Sequence, residues 1–293
     1  MSDKSNEKIR EAVRQAYGDI ARQHGAASGP SSCCGPRQTS SCCQPSQAGN
    51  CCGPADPKAA SSATLYPAEE IAGLPDSVTD VSLGCGNPLA IADLRPGEAV
   101  LDLGSGGGID CFLAAKKVGP QGRVIGLDMT PDMVKLAQRN AKRVGAWNVE
   151  FRLGEIEDMP LPDGSVDAII SNCVINLSPD KDAVFAEAYR VLRPGGRVSV
   201  SDIVLHGELP PAVRDRLDMW ASCVSGALQE ADYLEKLRAA GFEGVEVLSR
   251  DFVKVSELPE WESMRNLVEG SGLDLTQVDQ VVASVKVRAQ KRG

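Results

Sequence analysis

Sulfur is the side-chain donor that this sequence offers in quantity. It carries ten cysteines against two histidines, His24 and His206, too few for a histidine-based metal site. Those histidines have no partner pattern and are assigned no role. Six of the cysteines form a repeat of period nine: Ser32-Cys33-Cys34-Gly35-Pro36, Ser41-Cys42-Cys43-Gln44-Pro45 and Asn50-Cys51-Cys52-Gly53-Pro54. The spacing differs from that of a structural zinc site. Adjacent cysteines also pair poorly, because a disulfide needs its Cα atoms well apart. Strict recurrence favours thiol capture or exchange over incidental cysteines in a low-complexity linker. Three other cysteines stand far apart in the chain. Cys85 lies between Gly84 and Gly86, in a loop; Cys173 follows an apolar run; Cys223 lies in Trp220-Ala221-Ser222-Cys223-Val224-Ser225-Gly226-Ala227. If they converge on one cleft, three thiolates suit a soft, thiophilic centre, whereas hard ions prefer oxygen. Cys111 reads instead as a small core residue.

A second constellation binds through backbone. In Val100-Leu101-Asp102-Leu103-Gly104-Ser105-Gly106-Gly107-Gly108 an apolar run carries an acid and then glycines two apart. Glycine is needed where φ turns positive and where a ligand lies on bare backbone. The helical pattern beyond offers unpaired N–H donors. The next apolar run, Arg123 to Leu127, ends in Asp128, placed to hold a ribose diol. A dinucleotide would set its pyrophosphate on the helix N-terminus. S-adenosylmethionine has no phosphate, and its charged amine suits the extra acid, Asp102. Met129 packs near the adenosine or in the core.

These residues need a frame, and the pattern supplies one. Apolar runs at 98–103, 123–127, 149–153, 166–171 and 196–203 alternate with helical patterns at 109–118, 131–144 and 180–192. That alternation predicts an α/β fold with a mostly parallel, doubly wound sheet. The fourth strand places Asn172 and Cys173 at the C-terminal strand ends, where open α/β sheets bind ligands. Four segments are expected: an amphipathic helix at 1–24, either docked or acting as a lid; a Cys-Cys repeat at 25–64, too poor in apolar residues to pack; a nucleotide-binding domain at 65–205; and a smaller α+β subdomain at 206–293. In the last, helices are expected near 210–222, 230–240 and 275–291, with strands near 243–248 and 252–255.

The bulk numbers exclude partners. A net charge of −9 argues against nucleic acid or an anionic membrane, which need clustered Lys and Arg. No apolar run reaches spanning length. The first ten residues lack a signal-peptide core, so the cytoplasm is the expected compartment.

Leu101 to Gly108, Asp128, Gly154-Glu155-Ile156-Glu157 and Val191-Leu192-Arg193-Pro194-Gly195-Gly196-Arg197 together resemble the Rossmann-like, class I S-adenosylmethionine-dependent methyltransferases over about residues 70 to 205. The resemblance implies Gly104 and Gly106 against the cofactor, with Ser105 and Gly108 in the same turn. It also implies Asp128 at the ribose and Glu155 and Ile156 near the adenine, with Asn172 a further cofactor-binding residue. With Gly84-Cys85-Gly86, Asp110-Cys111, Gly126-Leu127-Asp128-Met129-Thr130, Asn172-Cys173-Val174-Ile175-Asn176-Leu177 and Cys223-Val224-Ser225-Gly226-Ala227, about residues 10 to 255 are similar to the arsenite methyltransferases. That family binds trivalent arsenic through cysteines, here matched by Cys85, Cys173 and Cys223. A further N-terminal cysteine falls within the repeat, with Cys51 and Cys52 among the six candidates. The family's aromatic before Gly-Cys-Gly is Leu83 here.

The implied chemistry is in-line attack of the arsenic lone pair on the sulfonium methyl, driven by positioning. Arsenic detoxification would be its use. Glutathione or a thioredoxin-like dithiol protein is the implied reductant. Two alternatives stay open: methylation of a small organic acceptor, and arsenic sequestration by thiols alone.

Overall fold

The structure, a computed structural model, describes residues 3–25, 65–208, 226–252 and 279–293. Its centre is an eight-stranded sheet: β1 (Ala99–Leu103), β2 (Arg123–Asp128), β3 (Val149–Leu153), β4 (Val166–Asn172), β5 (Leu192–Leu205), β6 (Leu228–Gln229), β7 (Phe242–Phe252) and β8 (Val282–Lys291). The order is β3-β2-β1-β4-β5-β8-β7, and β6 pairs with β5. β1 to β5 are parallel, whereas β8 runs antiparallel to both its neighbours. The helices are α1 (Asp3–Gly25), α2 (Ala68–Ile71), α3 (Asp76–Thr79), α4 (Ile109–Val118), α5 (Pro131–Val144), α6 (Lys181–Val191) and α7 (Glu230–Ala239). α4 and α5 occupy the ranges expected from the sequence.

Alternation along the strands builds a core on each face of the sheet. Leu101 and Leu103 of β1 pack with Ile169, Phe185 and Tyr233, while Val100 packs with Phe112, Ala168 and Ile170 on the other face. Because β1 is buried along its whole length, it reads as an almost unbroken apolar run. β1 lies between β2 and β4, and the chain reverses its direction of winding there. A crevice therefore opens beyond the C-terminal ends of β1 and β4. The glycine turn and Asn172-Cys173 both sit at that crevice.

The C-terminal stretch corrects the sequence reading. The helix expected near 275–291 is β8 over its described part. Ala283, Val285, Val287 and Ala289 alternate into the core, with Ser284, Lys286, Arg288 and Gln290 between them. Such period-two burial belongs to a strand. Two strands were expected near 243–248 and 252–255; the first is part of one strand, β7, and residues from 253 lie outside the described set. β8 pairs with β5 from Leu205 to Arg197, so the end of the sheet lies in the C-terminal stretch, as the sequence suggests. The helix expected near 210–222 also lies outside the described residues.

Candidate active site

The crevice, counted together with the solvent at its open mouth, spans about 940 Å³. Its floor is the glycine turn, its far wall is Asp128 to Thr130 with Ile156, and its near wall is Leu83, Gly84 and Asn172 to Val174. Gly104 and Gly106 have φ of +66° and +49°, values that side chains with a Cβ rarely adopt. The Ser105 hydroxyl is buried on this turn without a hydrogen-bond partner. A ligand that offers an acceptor there would satisfy it.

Asp128 ends β2 as expected. Its carboxylate accepts from the Gly106 N–H at 2.9 Å and the Thr130 N–H at 2.8 Å. Loss of hydration raises its pKa, and these two N–H bonds oppose the rise. Lone pairs remain for a diol.

Helix α1 roofs the crevice. Arg10, Val13 and Tyr17 line it. Ile9, Val13 and Ala21 are buried, and Tyr17 and Ile20 pack on Val81, Met133 and Leu136. Charge holds the roof too: Arg10 pairs with Glu155 and Glu157, Arg14 with Glu155, and Arg22 with Asp132. The docked reading of this helix and its covering of the crevice are thus the same contact.

Not every expected residue reaches the space. Met129 and Ile156 line it, whereas Glu155 faces the arginines of α1 and Glu157 takes its place. Asp102 lies behind the turn, 2% exposed, and accepts from the Cys111 thiol at 3.1 Å. Burial, and then the charge of Asp110, push Asp102 well above the usual carboxylate range. Cys111 is buried and inert, its thiol raised first by burial and then by Asp102. Asp110, unlike Asp102, lines the crevice, together with Asp128 and Glu157. Burial pushes it up to about 6, against hydrogen bonds from Tyr66 and Asn172. The Tyr66 hydroxyl reaches its two oxygens at 2.9 and 3.0 Å. An acid placed two residues after Gly108 was a legible signal. Nothing in the sequence near Tyr66 marked it.

Asn172 joins this acid to the cysteine loop. Its Oδ1 accepts from the Cys85 N–H at 3.1 Å, and its Nδ2 donates to the Gly86 carbonyl at 2.7 Å and to the Tyr66 hydroxyl at 3.0 Å. The glycines around Cys85 are explained by this packing. A Cβ at Gly84 would overlap the Asn172 amide, and one at Gly86 would overlap the Ser201 hydroxyl.

Cys173 follows β4 with φ +58°, a left-handed conformation that is uncommon for a residue with a side chain. Its N–H donates to the Ser201 carbonyl at 2.8 Å. In this structure Cys85 and Cys173 are joined in a disulfide, with Cα atoms 5.8 Å apart, where the sequence suggests two thiolates. That separation lies within the bridging range, so the two backbones already present their sulfurs to one point. Cys223, Cys51 and Cys52 lie outside the described residues.

Asp202, absent from the residues the sequence singles out, is buried behind the cysteine pair. Its carboxylate lies with the two sulfurs within 4.8 Å of one another. Asp202 lies inside β5, an acid within an otherwise uncharged stretch from Val198 to Leu205, and that was the available signal. No helix among the described residues is long and apolar enough to cross a membrane.

A parallel sheet reversing between β1 and β4, with a glycine turn and an acid-tipped second strand around one crevice, defines a class I S-adenosylmethionine-dependent methyltransferase fold. A methyltransferase domain family model matches residues 94–241. The arsenite methyltransferase of Halobacterium salinarum is 44% identical over 270 residues, 92% of this chain and 66% of that protein. That of Homo sapiens is 39% identical over 168 residues, 54% of this chain and 44% of that protein. The crystal structure of CrArsM, an arsenic (III) S-adenosylmethionine methyltransferase from Chlamydomonas reinhardtii, superposes with a TM-score of 0.65 at 36% identity, covering 77% of this chain and 74% of that one. The chain belongs to the arsenite methyltransferase family. It spans between about half and two thirds of the length of the first curated relatives, at 66%, 47% and 52%.

Proposed function

We propose that the protein methylates trivalent arsenic with S-adenosylmethionine in the crevice at the ends of β1 and β4. One observation carries the reading: Asn172 ties the loop of Cys85 to Asp110, which lines the crevice, while Cys173 itself lines that crevice.

The residues present fit the cofactor. Asp128 would take the ribose diol, and Ile156 with Met129 would flank the adenine. The turn at Gly104 to Gly106, with the unpartnered Ser105 hydroxyl, would take the amino-acid end. Asp110, rather than Asp102, would face its ammonium. When bound, the cofactor supplies an electrophilic methyl group on a sulfonium. The roof of α1 would exclude water from it.

Cys85 and Cys173 would hold the arsenic substrate once a thiol reductant has opened their disulfide. Glutathione or a dithiol protein fits that role. Cys223 is the proposed third ligand, and the Cys-Cys repeat would collect arsenite and pass it on. The 44%-identical and 36%-identical relatives support this substrate. The absence of a histidine or lysine base among the crevice-lining residues fits chemistry that needs positioning more than proton transfer.

The test offers reduced full-length protein arsenite and, separately, organic acceptors such as a quinol, each with S-adenosylmethionine and glutathione. Methylated arsenicals are expected from the first mixture alone. Methylation of the organic acceptor, with none of arsenite, would overturn the reading.

A further inference from the structure

Behind the crevice, at Cys173, lies a ligand set that is not the all-sulfur set of the arsenic proposal. Cys85 Sγ, Cys173 Sγ and a carboxylate oxygen of Asp202 lie within 4.8 Å of one another. Three donors at such separations can reach a single small cation. Asp202 is fully buried at the inner end of this group. Its Oδ1 is already used, accepting from the Asn176 amide at 2.8 Å and the Ile203 N–H at 2.9 Å. Its Oδ2 has the Tyr233 hydroxyl at 3.4 Å, a distance at which little of a hydrogen bond remains, and the charge of the buried Lys181 ammonium attracts the carboxylate. Burying a carboxyl with one oxygen so poorly satisfied is costly. An independent mark lies beside it: the Ser201 hydroxyl is buried without a hydrogen-bond partner, pressed against Gly86.

We propose that, once reduced, Cys85, Cys173 and Asp202 form a binding site for a thiophilic divalent cation of the zinc and cadmium class. Two thiolates and one carboxylate are ligands that zinc takes with tetrahedral geometry, leaving one position open. Trivalent arsenic is thiophilic and has no comparable use for the carboxylate. The two occupants therefore depend differently on Asp202. The site must first be opened. A dithiol reductant delivers two electrons and two protons to the Cys85–Cys173 bond, yielding two thiols and the reductant's own cyclic disulfide. The cation then displaces the two thiol protons to solvent. Asn176 and the Ile203 N–H hold the carboxylate in place, as partners of ligands do elsewhere. This proposal stands apart from methyl transfer and would survive its failure.

The test uses the full chain carrying Cys33→Ser, Cys34→Ser, Cys42→Ser, Cys43→Ser, Cys51→Ser and Cys52→Ser, reduced and kept anaerobic. Cadmium is titrated while its thiolate charge-transfer absorption is followed, and a phenylarsenical is titrated in parallel. One equivalent of cadmium is expected to bind. Asp202→Asn should weaken cadmium by about tenfold or more while leaving phenylarsenical binding in place, which also reports that the variant is folded. Cys223→Ser should leave cadmium unchanged. Zinc K-edge absorption on the Asp202-containing protein adds a readout that needs no further variant: two sulfur neighbours with light atoms are expected. Absent binding, three or four sulfur neighbours, or cadmium lost with Cys223→Ser but kept with Asp202→Asn would overturn the proposal.

Discussion

Asn172 does two jobs with one side chain. It accepts from Cys85 and donates to Gly86 and Tyr66, so it sets the cysteine loop against the crevice. Asn172→Ala should therefore lower the rate of arsenite methylation by about 10²-fold, the size of effect that a misplacement near 1 Å produces. Parallel titration with S-adenosylhomocysteine should show a much smaller loss. Asp110 offers a pH test. Its pKa in the folded protein is raised to about 6 from an ordinary value of 3.8. The native state therefore holds a proton that the unfolded chain has released, and stability falls as pH rises between those values. Below both values the penalty is absent; above about pH 7 it is complete. Asp110→Asn should exceed the unmodified protein by only a small margin in urea denaturation at pH 4, and by a few kcal/mol at pH 7.5. A constant difference across that range would contradict the assignment.

At the scale of elements, two contacts decide whether the crevice exists. One is the seat of the loop that precedes β1. Arg197 of β5 reaches Glu98 with two nitrogens at 2.8 and 2.7 Å, and the carbonyls of Ala92 and Asp93 at 2.5 and 2.6 Å. Arg197→Met leaves Glu98 half-buried without its partner and should cost about 3 kcal/mol in chemical denaturation. The other is the roof. Val13 is 2% exposed beneath α1. Val13→Asp buries a charge in that seam, so α1 should lift. Affinity for S-adenosylhomocysteine should then fall by about tenfold, or 1.4 kcal/mol, while the sheet stays folded by far-ultraviolet circular dichroism. Unchanged affinity would mean that the helix only decorates the surface.

For the whole molecule, the glycine turn, β1 to β5 and the helices between them were legible because each carries its own period of burial. The crevice was legible too, since strand order at a doubly wound sheet fixes where ligands bind. What escaped was long-range. The stretch of β8 shows a helical pattern in sequence, and only pairing with β5 makes its alternate apolar residues decisive. Asp102 was assigned the ligand's amine because it precedes the glycines; the pleat turns it behind the turn and leaves Asp110 at the wall. The disulfide between Cys85 and Cys173 joins residues 88 apart, a proximity that no local pattern encodes. Whether the described C-terminal strands form one folding unit with the rest is itself testable. Val285→Asp should cost more than about 4 kcal/mol and abolish the whole cooperative transition. The central claim is that Cys173 holds arsenic at the crevice. It is tested most directly by single-turnover transfer of a labelled methyl group to arsenite by the reduced protein and by Cys173→Ser, with S-adenosylhomocysteine affinity measured on the same samples. The account expects labelled methylarsenicals from the first, none from the second, and equal affinity in both. Undiminished transfer by Cys173→Ser would contradict it.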